Sequence, residues 1–331
     1  MKLSILDQSP ISSKQTAQDA LYESVKLAQL GDELGYTRYW IAEHHDLKGL
    51  ACSAPEVMLS LIGSKTKRIR IGSGAVLLPH YKPFKIAEVF NMLATLYPNR
   101  IDLGLGRAPG GSAEATNALS NNFLQKVYQF PELIDELLHF FNRDFPDDHD
   151  FSRVTASPFP DVTPVPWILG TSRKSAILAA EKGLPYAFGQ FMSEVDGKVI
   201  INEYKNMFKP SKQLKNPQTL LTITVVCAET TEKAEEIALS NLIWTIQKDK
   251  GEGDFVPSTE EAKNYKLTNI EKKKLEERKG QMIIGNPQEI RQSLMDLQEK
   301  FDVDEIMIVT ITHDPEDRLN SYKLMADVLL K

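Results

Sequence analysis

Short runs of residues rich in β-branched side chains alternate along the chain with longer segments whose apolar residues recur at helical spacing. In one such segment, Ile86, Phe90 and Leu93 stand at positions i, i+4 and i+7 and share one helix face. This alternation is typical of parallel strands joined by crossover helices. The predicted strands are residues 2–7, 37–43, 69–78, 100–104, 165–169, 185–188, 219–228 and 305–311. The predicted helices are residues 17–34, 55–64, 83–97, 172–182, 195–208, 231–247 and 315–330, a mostly helical stretch at 113–143, and a helix that begins at Pro287.

Eight strands, each followed by a helix, predict an α/β fold of the (β/α)8 or TIM-barrel type. The alternative is an open, doubly wound sheet, which usually has a glycine-rich first turn. The first turn here, residues 7–10, reads Asp-Gln-Ser-Pro and lacks that signature. We therefore expect one barrel domain over residues 1–331. Residues 248–279, rich in Lys, Glu and Gly, are expected to form either a solvated insertion or a mobile lid over the site.

Composition narrows the class of protein. The net charge of −6 argues against nucleic acid as the main partner, because phosphate backbones require a basic face. Two cysteines, Cys52 and Cys227, provide neither a disulfide framework nor a clustered thiolate metal site, so we expect no metal. The N-terminus lacks a signal-peptide pattern, and no apolar run approaches the roughly 18 residues of a membrane span. We expect a cytoplasmic protein.

The second predicted strand ends in two adjacent histidines, His44 and His45, beside Glu43 and Asp46. In a barrel, the active site lies where the strands end. Successive strand residues point to opposite faces, so the two histidines do not easily share one metal ion. An imidazole titrates near neutral pH, which makes one histidine a candidate acid/base, while the other is expected to be a hydrogen-bonded structural residue.

The ends of the fourth and fifth predicted strands suit an anion. Arg107 stands among glycines, as bidentate phosphate recognition favours, although a surface salt bridge is the alternative. The fifth strand ends at Leu169 and opens through Gly170, Thr171 and Ser172 directly into a helix, whose N-terminus attracts negative charge. A capping role for Thr171 or Ser172 is compatible with binding a phosphate there.

The third predicted strand contains the small residues Gly74 and Ala75, which allow a flat aromatic ligand to lie against the backbone. Taken with the anion site, this wall would suit flavin mononucleotide (FMN), with the phosphate at one end and the isoalloxazine ring at the other. A sugar phosphate fits the anion site equally well, and spacing alone leaves both open.

Four ordered segments carry a resemblance to a known family. They read WIAEHHD at 40–46, GSGAVLLPHYKP at 72–83, RIDLGLGR at 100–107 and WILGTSRKSAILAA at 167–180. In these segments the chain resembles the bacterial luciferase-like flavin-dependent monooxygenases, and four motifs in order are more specific than any one.

The resemblance implies a (β/α)8 barrel that uses reduced FMN, supplied by a separate NAD(P)H flavin reductase, and O2 to oxidise a small organic substrate. It assigns His44 as the acid/base near the flavin. Arg107, Gly170, Thr171 and Ser172 match phosphate contacts, next to Leu169. Gly74 and Ala75 match a segment against the ring, where family members often have a non-proline cis peptide. Members are commonly homodimers, as are soluble oligomers in general.

Two positions depart from the luciferases proper. Gly106 stands where they carry a cysteine, and Asp46 where they carry an aromatic residue, so light emission is not expected. The family also includes enzymes that transfer hydride with a deazaflavin coenzyme, and a non-catalytic flavin-binding protein is a third hypothesis. The substrate is not indicated by the sequence.

Overall fold

The computed structural model describes residues 1–331, and its centre is a closed barrel of parallel strands. The barrel order is β6-β5-β4-β3-β2-β1-β9-β7, and a pairing between β6 and β7 closes the ring. The predicted (β/α)8 barrel is confirmed. The strands are β1 (Leu3–Asp7), β2 (Arg38–Ile41), β3 (Arg70–Leu77), β4 (Ile101–Gly106), β5 (Val165–Gly170), β6 (Tyr186–Gly189), β7 (Thr219–Cys227), β8 (Ile283–Gly285) and β9 (Glu305–Val309).

Helices surround the barrel, and their ends follow the local sequence. At the last-but-one helix, Asn286 accepts hydrogen bonds from the backbone of Gln288 and Glu289, with Pro287 in the first turn. No helix combines the length and apolar character needed to cross a membrane. The helices are α1 (Ala17–Leu34), α2 (Pro55–Lys65), α3 (Pro83–Leu96), α4 (Ala113–Leu119), α5 (Phe123–Tyr128), α6 (Phe130–Asn142), α7 (Arg173–Lys182), α8 (Gly197–Met207), α9 (Thr231–Asp249), α10 (Thr259–Asn264), α11 (Asn269–Lys279), α12 (Pro287–Phe301) and α13 (Pro315–Leu329).

Alternation along each strand divides the core in two. In β9, Ile306 and Ile308 belong to the large cluster that also contains residues of the surrounding helices, whereas Met307 belongs to a smaller one. Because successive strand residues point to opposite faces, the smaller cluster fills the barrel interior. It includes Trp40 and Trp167, whose rings meet edge to face at 5.3 Å.

A buried ion network closes the interior at the N-terminal ends of the strands. Arg38 pairs with Asp102 at 2.7 Å and with Glu305 at 2.7 Å, and Arg70 reaches Asp102 at 2.5 Å. Both carboxylates are fully buried. Arg38 is the buried cation of the network, and the partly exposed Arg70 contacts the other oxygen of Asp102. The two buried carboxylates therefore depend on these two arginines.

The structure differs from the predicted elements at four places. The sequence pattern predicts eight strands, but a ninth, β8, pairs with the last three residues of β7. Its three residues are too few to show a period. Strand β2 stops at Ile41, the helix after β6 begins at Gly197, and the predicted helical stretch at 113–143 consists of three helices.

The insertion at residues 248–279 begins with the end of α9 and contains α10 and α11. Its Val256 is buried in the interior cluster. The backbone of Val256 accepts from Ser13 at 2.9 Å and donates to Ile11 at 2.9 Å. The insertion is thus docked on the loop that follows β1, at the C-terminal end of the barrel.

Candidate active site

A cavity of about 450 Å³ opens at the C-terminal ends of the strands. Its volume lies in the range of roughly 300–1,000 Å³ that is usual for small-molecule and cofactor sites. All eight residues that the sequence singled out line this one cavity. They are His44, Gly74, Ala75, Arg107, Leu169, Gly170, Thr171 and Ser172.

At one end of the cavity, Arg107 faces the start of α7. Its Nη2 donates to the hydroxyl of Ser172 at 3.2 Å, and the guanidinium forms none of the ion pairs of this chain. Ser172 is also the N-cap of α7 and accepts from the backbone N–H of Ser175. A guanidinium without a counter-ion and a helix N-terminus therefore meet at one point, which favours a bound anion.

Gly170 brings the end of β5 close to the first turn of α7. A Cβ at this position would lie 2.3 Å from the hydroxyl oxygen of Ser175. The Ser175 hydroxyl lies 3.0 Å from the Tyr186 hydroxyl, and burial raises the pKa of Tyr186 to about 12. Tyr186 is thus a neutral phenol that orients Ser175, which also lines the cavity.

The other part of the cavity has a wall of small residues, Gly74, Ala75 and Gly106. The peptide bond between Gly74 and Ala75 is cis, as the resemblance implies. A Cβ on Gly74 would lie 2.6 Å from the Leu6 side chain, and one on Gly106 would lie 3.1 Å from Cβ of Ala75. Glycine at both positions avoids these close contacts and leaves the wall without side chains beside Leu6 and Trp40.

His44 has a neutral imidazole at pH 7. Burial, followed by the charges of Lys248 and His45, lowers its pKa to about 4. Its Nδ1 is buried and has no hydrogen-bond partner within the protein. A neutral imidazole that lines the cavity and has a ring nitrogen without a partner can accept a proton or a hydrogen bond.

His45 has different surroundings. Its Nε2 lies 2.7 Å from Oε1 of Glu43, and the residue does not line the cavity. No group of three or more His, Cys, Asp or Glu side chains is arranged to hold a metal ion. The adjacent histidines, which lie in the loop after β2, thus differ in their contacts: His44 lines the cavity, whereas His45 is bound to Glu43.

Several cavity residues were missed in the sequence analysis. Gln8 directly follows the first strand, and this position could have identified it as a site residue. Most of the other missed residues lie inside strands or in later helices, where no local pattern identifies them. They include Leu6, Gln8, Trp40, Glu43, Leu77, Val127, Ser175, Phe191, Met192, Thr222 and Met307.

The neutral state of His44 predicts a pH-dependent stability. The unfolded chain binds a proton at this histidine below about pH 6.5, whereas the folded chain does so only near pH 4. The free energy of unfolding should therefore fall by about 2–3 kcal/mol between pH 7 and pH 4.5 on account of His44. The free energy of unfolding of His44→Gln, measured in urea, should not show this part of the decrease. His149→Gln, at an exposed histidine, is the control, and equal acid sensitivity of His44→Gln and wild type would contradict the prediction.

Comparison with known proteins decides the family. The sequence matches the model of the luciferase-like monooxygenases over residues 1–303. The chain belongs to the luciferase-like monooxygenase family. It is 36% identical over 331 residues to the N-acetyl-S-alkylcysteine monooxygenase of Bacillus subtilis (strain 168), an alignment that covers 100% of this chain and 98% of the relative.

Several solved structures share the barrel. Apo-MsnO8 superposes with a TM-score of 0.88 at 32% identity, covering 99% of this chain and 97% of that one. The oxygenating constituent of 3,6-diketocamphane monooxygenase of Pseudomonas putida, in complex with FMN, superposes at 0.73 with 17% identity, covering 99% and 97%. An F420-dependent secondary alcohol dehydrogenase does so at 0.69 with 13% identity, covering 99% and 98%. The last two likenesses show the fold alone.

Proposed function

We propose that this luciferase-like monooxygenase uses reduced FMN and O2 to oxidise a small organic substrate. The observation that carries the proposal is one cavity with an anion site at one end, Arg107 with Ser172, and a flat wall of small residues elsewhere. FMN has the same division, since a phosphate lies at one end of the molecule and a planar ring at the other.

The residues present fit FMN. Arg107 has a positive charge without a counter-ion, and Gly74 and Gly106 keep the wall free of side chains. His44 lines the same cavity, and its buried Nδ1 has no hydrogen-bond partner within the protein. When bound, reduced FMN would supply the electrons for O2 activation, which protein side chains cannot provide.

The chain's own residues would then position the cofactor and protect the reacting centre from water. Arg107 and Ser172 would hold the phosphate, and the neutral imidazole of His44 would accept a proton. Leu6 and Met307 make part of the lining apolar, which excludes water from the reacting centre. A separate NAD(P)H flavin reductase would deliver reduced FMN. The diketocamphane enzyme is named as an oxygenating constituent, and its structure contains FMN.

The name of the Bacillus subtilis relative suggests the first substrate class to test, an N-acetyl-S-alkylcysteine. Purified protein should bind reduced FMN at micromolar concentration and, in air, add one oxygen atom to N-acetyl-S-methylcysteine or to another small thioether, as detected by mass spectrometry. Failure to bind reduced FMN would overturn the proposal.

Hydride transfer with a deazaflavin is the second candidate, because the F420-dependent dehydrogenase has the same fold. Turnover with reduced or oxidised F420 under anaerobic conditions would favour it over the FMN and O2 reaction. Binding of FMN without oxidation of any compound in a thioether, ketone and aldehyde panel would favour the non-catalytic alternative.

We also propose a homodimer formed through α2 and α3. These helices pack side by side, and their outer faces expose Val57 and Leu61 on α2, and Met92 and Leu96 on α3. Exposed apolar side chains on two neighbouring helices would form an interaction surface if they lie in one patch. Leu96→Glu should convert a dimer to a monomer in light scattering, whereas Met295→Glu, at an exposed methionine on α12, should not. A monomeric wild type would overturn this proposal.

A further inference from the structure

The buried carboxylate of Glu43 lies where the loops after β2 and β3 meet. Its side chain is 1% exposed, and the residue lines the cavity. Oε2 accepts from the backbone N–H of Leu77 at 3.0 Å. Oε1 accepts from the Tyr81 hydroxyl at 2.6 Å and lies 2.7 Å from Nε2 of His45. Three donors from different segments thus converge on one acceptor group.

Two of these contacts secure the flat wall. Leu77 ends the strand that contains Gly74 and Ala75, and Tyr81 follows it by four residues. Burial and the charge of Glu43 raise the pKa of Tyr81, so that its hydroxyl keeps the proton that it donates. Because β3 and β4 change register between Ser73 and Val76, the backbone ladder is interrupted at the wall itself. The Glu43 carboxylate, which accepts from Leu77 beyond the irregularity, therefore holds the part of β3 that backbone hydrogen bonds to β4 do not secure.

The third contact extends to the loop that carries Arg107. The backbone N–H of His45 donates to the carbonyl of Gly110 at 2.8 Å, and His45 forms a bridge with Gly111. A Cβ on Gly111 would lie 1.9 Å from the His45 carbonyl oxygen, so the two backbones touch. By holding the His45 ring, Glu43 also fixes the spacing between the β2 and β4 loops.

We propose that Glu43 is a positioning residue that holds the flat wall, the His44 loop and the Arg107 loop in the geometry that binds the flavin. The proposal rests on the proposed function. Glu43 itself would act through Leu77, Tyr81 and His45, because both of its oxygens are engaged by them. Its requirement is for hydrogen-bonding atoms at fixed places and not for negative charge.

This distinction can be tested with two variants. In Glu43→Gln, the amide oxygen can accept from Leu77 while the amide N–H groups donate to Tyr81 and to neutral His45, both of which can accept. Glu43→Leu has a similar volume and no acceptor. Asn91→Leu is the matched control, since Asn91 is also buried, donates to the carbonyl of Ala156 at 2.8 Å and does not line the cavity.

Reduced FMN is titrated anaerobically into each full-length variant, with quenching of tryptophan fluorescence giving Kd and near-ultraviolet circular dichroism reporting the surroundings of the bound ring. Glu43→Leu should weaken binding by at least about 10-fold and alter the dichroism spectrum, because three hydrogen bonds are lost. Glu43→Gln should stay within about 3-fold of wild type, and Asn91→Leu should lower the unfolding midpoint without changing Kd.

Wild-type affinity and spectrum in folded Glu43→Leu would overturn the proposal, as would an equal loss of affinity in Asn91→Leu. If Glu43→Leu does not fold, Tyr81→Phe removes one donor only; an altered spectrum with a weaker Kd supports the proposal, and an unchanged spectrum and Kd overturn it. Failure of wild type to bind reduced FMN would instead overturn the proposed function, so the two failures are distinguishable.

Discussion

Replacing Arg107 by methionine is expected to weaken FMN binding by about 10- to 100-fold, because hydrogen bonds to a charged group contribute roughly 1.5–3 kcal/mol. Arg107 has no carboxylate partner, and its only side-chain hydrogen bond is to Ser172. Its charge is therefore available to a phosphate and is not required for folding. The dissociation constant of FMN, measured by flavin fluorescence, checks the prediction.

The neighbouring arginine supplies the control. Arg173 starts α7 next to Ser172, but its guanidinium pairs with Glu203 at 2.5 Å and its side chain is 72% exposed. Arg173→Met should change the affinity by less than about 2-fold, since exposed ion pairs contribute little. Riboflavin, which lacks the phosphate, should bind wild type and Arg107→Met equally. Wild-type affinity for FMN in Arg107→Met would mean that Arg107 does not bind the phosphate, and would contradict the proposed anion site.

Replacing Arg38 by methionine should produce the largest loss of stability, about 3–5 kcal/mol, because it leaves the buried carboxylate of Glu305 without a cation and that of Asp102 with Arg70 alone. Arg38 contacts Asp102 and Glu305, and both carboxylates are fully buried. Burial alone would lower the pKa of Arg38, but the charges of these two carboxylates raise it, so the arginine remains charged. Urea unfolding at pH 7 measures the change in free energy.

A double variant separates the unpaired charge from the loss of packing. Arg38→Met combined with Glu305→Gln should be more stable than Arg38→Met alone, because one buried charge has been removed. Lys85→Met, which breaks an exposed pair with Glu88, should cost less than about 1 kcal/mol. If Arg38→Met cost no more than Lys85→Met, the network would not be a source of stability.

The anion site could be predicted because each of its residues stands directly after a strand. Arg107 follows β4, and Thr171 and Ser172 follow β5 and precede α7. In a closed parallel barrel all strands end at the same face, so residues at these positions converge whatever lies between them. Periodicity and strand ends therefore sufficed for the fold and for the anion site, whereas Gly74 and Ala75 were singled out as small residues and His44 was assigned by the family resemblance.

Interior contacts could not be predicted in this way. Arg38 and Glu305 are separated by 267 residues and meet only because β1 lies between β2 and β9 in the closed ring. In the sequence each is an isolated charged residue at the start of a strand. Their burial, and with it their importance for stability, depends on barrel closure.

The sequence by itself determined the alternation of strands and helices, the barrel, and the positions at which a cofactor site can form, because these depend on local periodicity and on chain order. The tertiary structure alone decided that His44 is neutral, that His45 is bound to Glu43, and that Tyr81 joins them. Protonation and hydrogen-bond partnership depend on burial and on atoms from distant segments, and neither is encoded in the spacing of residues along the chain.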